Sequence, residues 1–60
     1  MDIYQRYAAI DVLYSQTDVD IDTIEKYSDF ELDAWCYELG YDWDEAERCY
    51  IYEGHDPDDY

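Results

Sequence analysis

Carboxylates constrain this chain before anything else does. Eighteen Asp and Glu stand against three Lys and Arg, a formal net charge of −15 on 60 residues. Charge of this size destabilises a compact state by self-repulsion. A chain this short also buries only about 60% of the surface that its unfolded form exposes. Folding therefore needs a productive core, and the sequence supplies nine Tyr, two Trp and one Phe. Each aromatic side chain can bury roughly 150–250 Å2. The same aromatics argue against disorder, since acidic disordered chains are poor in them. A single domain spanning residues 1–60 is expected, with no core to spare for a large catalytic cavity.

Helix punctuation is densest between Ser28 and Gly54. Ser28 and Glu31 fit the capping box S-x-x-E, which satisfies two orphan amide donors. Leu32, Trp35, Cys36 and Leu39 recur at i, i+3, i+4 and i+7, one apolar helix face. Phe30, Ala34 and Tyr37 form a second stripe on the opposite side, which predicts a central helix packed on two sides. Gly40 stands where a helix needs a left-handed C′ residue, with Tyr41 able to fold back onto Trp35 and Cys36. Asp42 and Glu45 then suit the start of another helix, with Trp43, Ala46 and Tyr50 as its stripe and Gly54 as its end.

Upstream, Asp2 to Ser15 reads as a helix with Asp2 at its dipole-favoured N-terminus. Ile3, Tyr7, Ile10 and Tyr14 line one face, widened by Tyr4 and Leu13, while Ala8, Ala9 and Val12 face elsewhere. Residues 16–23 alternate Asp18, Asp20 and Asp22 with Val19 and Ile21, but no other segment offers a matching strand. An extended loop is expected there, pinned by Val19 or Ile21. Asp22 then caps a short helix, Thr23 to Tyr27, with Ile24 and Tyr27 inward. Residues 55–60 read as a flexible acidic tail. The resulting fold class is all-α: a compact bundle of three main helices plus a short helix after the Asp-rich loop.

Each basic residue follows an acid by four positions, Asp2–Arg6, Asp22–Lys26 and Asp44–Arg48. That orientation stabilises a helix by ~0.2–0.5 kcal/mol per pair. If all three pairs form, fifteen of the eighteen carboxylates are left over. Solubility needs a net magnitude of only about 2–8 in a small domain, so the excess points to a positively charged partner. Cys36 and Cys49 flank the Gly40 turn without C-x-x-C spacing. Met1 leads straight into Asp2 with no apolar leader segment, and no stretch is long enough to cross a membrane. A cytoplasmic chain is expected, with two buried free thiols; a disulfide across the turn is the alternative.

Chemistry is sparse. An EF-hand loop beginning at Asp18 would place Asp18, Asp20 and Asp22 correctly. It would also put Thr23 where Gly belongs, Glu25 where an apolar residue belongs and Asp29 where a bidentate Glu belongs. The single histidine, His55, stands in the acidic tail. Exposed carboxylates sharing one environment lack the divergent pKa values that acid–base catalysis needs. Neither cysteine stands in a basic surrounding beyond Arg48 beside Cys49. There is no phosphate loop and nothing basic to hold nucleic acid. The expectation is a non-enzymatic chain without cofactor or metal.

What remains is the arrangement of charge. Carboxylates at i, i+3 and i+4 on a helix stand ~5–6 Å apart at Cβ, and duplex DNA carries one charge per ~1.7 Å of axis. Rows of carboxylates on a rigid scaffold offer a comparable field. The expected partner-binding residues are Asp29, Glu31, Asp33 and Glu38 on the central helix, with Asp42, Asp44, Glu45 and Glu47 after the turn.

In its small size, extreme acidity and abundant Tyr and Trp, the chain resembles the DNA-mimic inhibitors of bacteriophages and mobile elements, of anti-CRISPR and anti-restriction type. The resemblance is one of character over the whole chain and carries no residue across by position. It implies occupation of the basic nucleic-acid-binding site of a host defence complex, a CRISPR effector above all, inside the bacterial cell. Such a protein touches neither nucleic acid nor membrane directly, and acts as monomer or homodimer. An acidic adaptor or chaperone shielding a basic DNA-binding partner, or a small calcium-binding module, are the alternatives.

Overall fold

Asp2 opens the first helix by lending its carboxylate to an orphan amide: Gln5 N donates to Asp2 Oδ1 at 2.8 Å. Helix α1 then runs over Ile3–Gln16. Thr17 ends it, its backbone extended and its hydroxyl donating to Leu13 O at 2.6 Å. The computed structural model describes residues 1–54, so the expected tail at 55–60 lies outside the described residues.

The buried face of α1 is not the aromatic one. Ala9, Ile10 and Leu13 enter the core, flanked by Ala8 and Val12. Ile3, Tyr4, Tyr7 and Tyr14 stay largely exposed. Of the expected stripe only Ile10 and the flanking Leu13 are buried, and the centre of the core side lies about a quarter-turn away at 100° per residue. Size and polarity explain the choice. Ala9 lets a neighbouring helix approach until the Cys36 thiol reaches Ala9 O at 3.7 Å. A buried Tyr would need a partner for its hydroxyl, and the periphery supplies water instead.

Val19 packs half-buried against the core, as the loop reading expects. Helix α2, Ile21–Ile24, starts two residues earlier than the Asp22 cap implies. Ile24 is fully buried, whereas Tyr27 stays on the rim with its ring edge-on to Trp35, centroids 5.3 Å apart.

Helix α3 spans Asp29–Glu38. Ser28 caps it, its hydroxyl accepting from Glu31 N at 3.3 Å. Leu32 and Cys36 are fully buried, with Trp35 and Leu39 beside them, the face the spacing predicts. The second stripe stays at the surface: Phe30 is 82% exposed, and Ala34 and Tyr37 are exposed too. Among the described residues α3 is therefore buried chiefly on its Leu32–Cys36 side.

After Gly40 the all-α expectation fails. Residues expected to form a third main helix make a β-hairpin, β1 Tyr41–Asp44 and β2 Cys49–Tyr52. The strands pair antiparallel with Tyr41 opposite Tyr52, Asp42 opposite Ile51, Trp43 opposite Tyr50 and Asp44 opposite Cys49. Y-D-W-D alternates apolar and polar with the strand period of two. Pairing gathers every aromatic of the hairpin on one face: Trp43 meets Tyr50 and Tyr41 meets Tyr52, edge-on at 5.3 and 5.4 Å. A helix would offer only the thin stripe Trp43, Ala46 and Tyr50. Asp42, the expected helix cap, lies within β1; Asp44 caps amides instead, accepting from Ala46 N at 2.9 Å and Glu47 N at 3.2 Å, and the turn it caps does not continue. Arg48, at φ 56°, reverses the chain into β2.

An isolated two-stranded hairpin is marginal in water. Here Tyr50 joins the helical core, and Gly40 O accepts from Glu53 N at 2.7 Å, extending the ladder. The core thus sits between α1, α3 and the aromatic face of the hairpin, with Ile24 closing one end.

Candidate functional site

Arg6 and Arg48 make contacts within the fold, though not in the i, i+4 pairs their spacing predicts, while Lys26 is exposed. Arg6 reaches across to Asp29, Nη1 to Oδ1 at 2.6 Å, the ion pair found among the described residues. Its Nη2 donates to Glu25 O at 2.8 Å and Tyr27 O at 3.2 Å, tying down the connection between α2 and α3. Asp2 is occupied with the helix cap and Asp44 with the hairpin turn. Arg48 lies over the Tyr4 ring, 5.2 Å from its centroid. A guanidinium serves both roles better than an ammonium, since it is planar and weakly hydrated.

The eight expected partner-binding carboxylates therefore divide. Asp29 is held by Arg6. Asp33 accepts from the Tyr50 hydroxyl at 2.8 Å, and Gln5 Nε2 donates to that same oxygen at 3.4 Å. Asp42 is half-buried on β1. Asp44 shares that side of the strand, roughly 7 Å along by the two-residue rise. Glu31, Glu38, Glu45 and Glu47 remain exposed. The first two stand on α3 and the last two on the hairpin turn, so the set does not form one continuous helical row.

Sequence reasoning missed what lies between Glu31 and Glu38. A surface groove of about 340 Å3 is lined by Tyr27, Phe30, Glu31, Ala34, Trp35 and Glu38. Its signal in the sequence is Phe30 and Ala34 of the second α3 stripe, a spacing that predicts a packing face. Ser28 and the Tyr27–Trp35 contact fix its walls.

The two cysteines stand in different settings. Cys36 is fully buried, and burial, reinforced by the nearby Asp33 charge, pushes its pKa up to about 12. A thiol so protonated is a poor nucleophile. Cys49 is exposed on the outer face of β2, contrary to the expected pair of buried thiols, and both cysteines are free. Tyr50 is also raised, first by burial and then by its bond to the Asp33 carboxylate and that charge, while the Gln5 hydrogen bond opposes the shift. Among the described residues no three His, Cys, Asp or Glu side chains converge to hold a metal ion. No described helix is long and apolar enough to cross a membrane.

Comparison of the chain with protein-family models, curated proteins and solved structures yields no match.

Proposed function

We propose that this chain is a non-enzymatic inhibitor that mimics the charge of DNA. It occupies the basic nucleic-acid-binding site of a host defence complex in the bacterial cytoplasm, and an anti-CRISPR is the form we favour. The observation that carries this reading is linear charge density. Three of the eighteen acids lie beyond Gly54, so fifteen acids and three bases leave −12 on the described residues, which extend 33 Å along their longest axis. Duplex DNA of that length carries roughly 19 charges at one per ~1.7 Å. The protein therefore offers a field within a factor of two of DNA. Arg6 sits against Asp29, so one of the three positive charges is held close to a carboxylate of the fold.

Affinity for a basic cleft then comes from replacing phosphates by carboxylates, with release of the cleft's own counter-anions. Such binding weakens steeply with salt and associates fast. The test is capture of a partner from bacterial lysate, followed by titration of that partner's complex with labelled DNA. Stoichiometric loss of DNA supports the mimic. A stable ternary complex with DNA still bound would replace it with the adaptor reading.

A further inference from the structure

Phe30 is the most exposed large hydrophobic of the described chain, and it stands on a capped helix rather than a loose loop. Beside it, Glu31, Ala34, Trp35 and Glu38 follow at i, i+3, i+4 and i+7, so they share one face of α3. Ala34 leaves a low floor between two taller aromatic walls, and a carboxylate stands at either end.

We infer that this groove is a socket for one arginine side chain of the basic partner. Its stem lies on Phe30, Ala34 and Trp35, and its guanidinium is held by Glu31 or Glu38. The inference rests on the reading above that the partner is basic, and it adds the contact that a DNA duplex could not make. Charge complementarity selects the occupant. A purely aliphatic side chain would strip water from two carboxylates and give them no donor. An acidic one would be repelled. Lysine is a compact, strongly hydrated point charge, whereas the guanidinium stacks on aromatic rings and forks onto a carboxylate.

The test uses isotope-labelled full-length protein titrated with acetyl-Gly-Arg-Gly-amide at physiological ionic strength, with acetyl-Gly-Lys-Gly-amide as the matched probe. The arginine probe is expected to shift the Phe30, Ala34 and Trp35 signals saturably and to bind more tightly than the lysine probe. Phe30→Ala, which leaves the exposed fold intact by circular dichroism, is expected to weaken the arginine probe roughly 2- to 5-fold, the size of an exposed cation–π contact. Shifts spread evenly over Asp11, Asp18 and Asp20, or unchanged binding to Phe30→Ala, would overturn the socket. So would self-association abolished by Phe30→Ala, which would give the groove to a second copy. The two readings separate cleanly. If wild type displaces DNA from its captured partner and Phe30→Ala does so equally well, the socket fails and the mimic stands. If the arginine probe seats on Phe30 but wild type displaces no DNA, the mimic fails and the socket stands.

Discussion

The hydroxyl of Tyr50 donates to Asp33 Oδ1 at 2.8 Å, joining the second hairpin strand to the central helix. Gln5 from α1 donates to the same phenolic oxygen, so three elements meet at one side chain that is only 8% exposed. A carboxylate expected to serve a partner is thereby a strut of the fold. Its hairpin could not hold its place on aromatic packing alone without also satisfying that buried hydroxyl.

Tyr50→Phe should therefore destabilise the protein by about 1–2 kcal/mol, the lower part of the range for bonds to charged groups, because Asp33 is itself exposed. Asp33→Asn should cost less, since the amide oxygen still accepts. Urea denaturation of both single variants and the double gives the coupling. A coupling indistinguishable from zero would remove the strut.

Alkaline pH should destabilise the fold from about pH 9 upward. Cys36 rises from 9.0 to about 12 in the fold, and Tyr50 rises above its ordinary 10.0. Both groups are neutral when protonated, so above pH 9 the unfolded chain binds fewer protons than the folded one. Stability is then full below pH 9 and falls as pH climbs from 9 towards 12, by up to about 1.4 kcal/mol per unit per group. Thermal melts in reductant from pH 7 to 11 check this. Cys36→Ala should move the onset of the decline up towards pH 10; an onset unmoved from wild type contradicts the assignment to Cys36.

Much of this fold was legible in the sequence. The cap at Ser28, the Leu32 and Cys36 face, the pinned Val19 and the turn at Gly40 all rest on local rules that nothing distant overrides. The hairpin was not legible, because Asp-x-x-Glu signals a free-amide cluster that a helix and a single turn share. The pair read as a helix start, Asp42 and Glu45, straddles the strand end, and it is Asp44 that caps the turn. The α1 face was misread for a different reason. Three tyrosines and Ile3 make a wider stripe than Ala9 and Leu13 do, yet a thin core takes the small residues that allow close helix approach. On the candidate surface, the charge was plain, but which carboxylates serve the fold depends on long-range partners such as Arg6 and Tyr50.

Gly40 is the position where backbone geometry leaves least freedom. Its φ is +95°, and an added Cβ would lie 2.9 Å from Tyr52 Cε1. Moving that ring disturbs its edge-on contact with Tyr41. Gly40→Ala should cost on the order of 1–3 kcal/mol, a large share of what so small a domain has. A melting temperature equal to wild type would show that the junction relaxes freely.

Moderate salt should stabilise the protein at neutral pH. Its surface charges repel one another, and physiological ionic strength cuts their reach to ~8 Å. Relief of about 1 kcal/mol would raise Tm by ~4–8 °C in a domain this small. A Tm that falls between low and physiological salt would mean that ion pairs such as Arg6–Asp29 outweigh the repulsion.

The division of the carboxylates also decides how the inhibitory surface should be tested. Neutralising Asp33 or Asp44 confounds binding with folding, because Tyr50 and the hairpin turn depend on them. Glu31, Glu38, Glu45 and Glu47 are exposed and stand on α3 and the turn, where backbone order is already established. A phosphate mimic gains from that rigidity, since less conformational entropy is lost on docking. Changing these four to Gln should leave the circular dichroism spectrum near wild type and Tm equal or higher, since it removes four mutually repelling charges. It should accelerate dissociation from the captured partner by an order of magnitude or more, at about 1 kcal/mol or less per rim charge. Changing Asp11, Asp18 and Asp20 to Asn removes a similar charge from elements outside that surface and should mainly slow association, as steering does. Dissociation rates read by surface plasmon resonance distinguish the two sets. If the second set shortens the complex lifetime and the first leaves it unchanged, the binding surface lies on the Asp-rich side of the molecule.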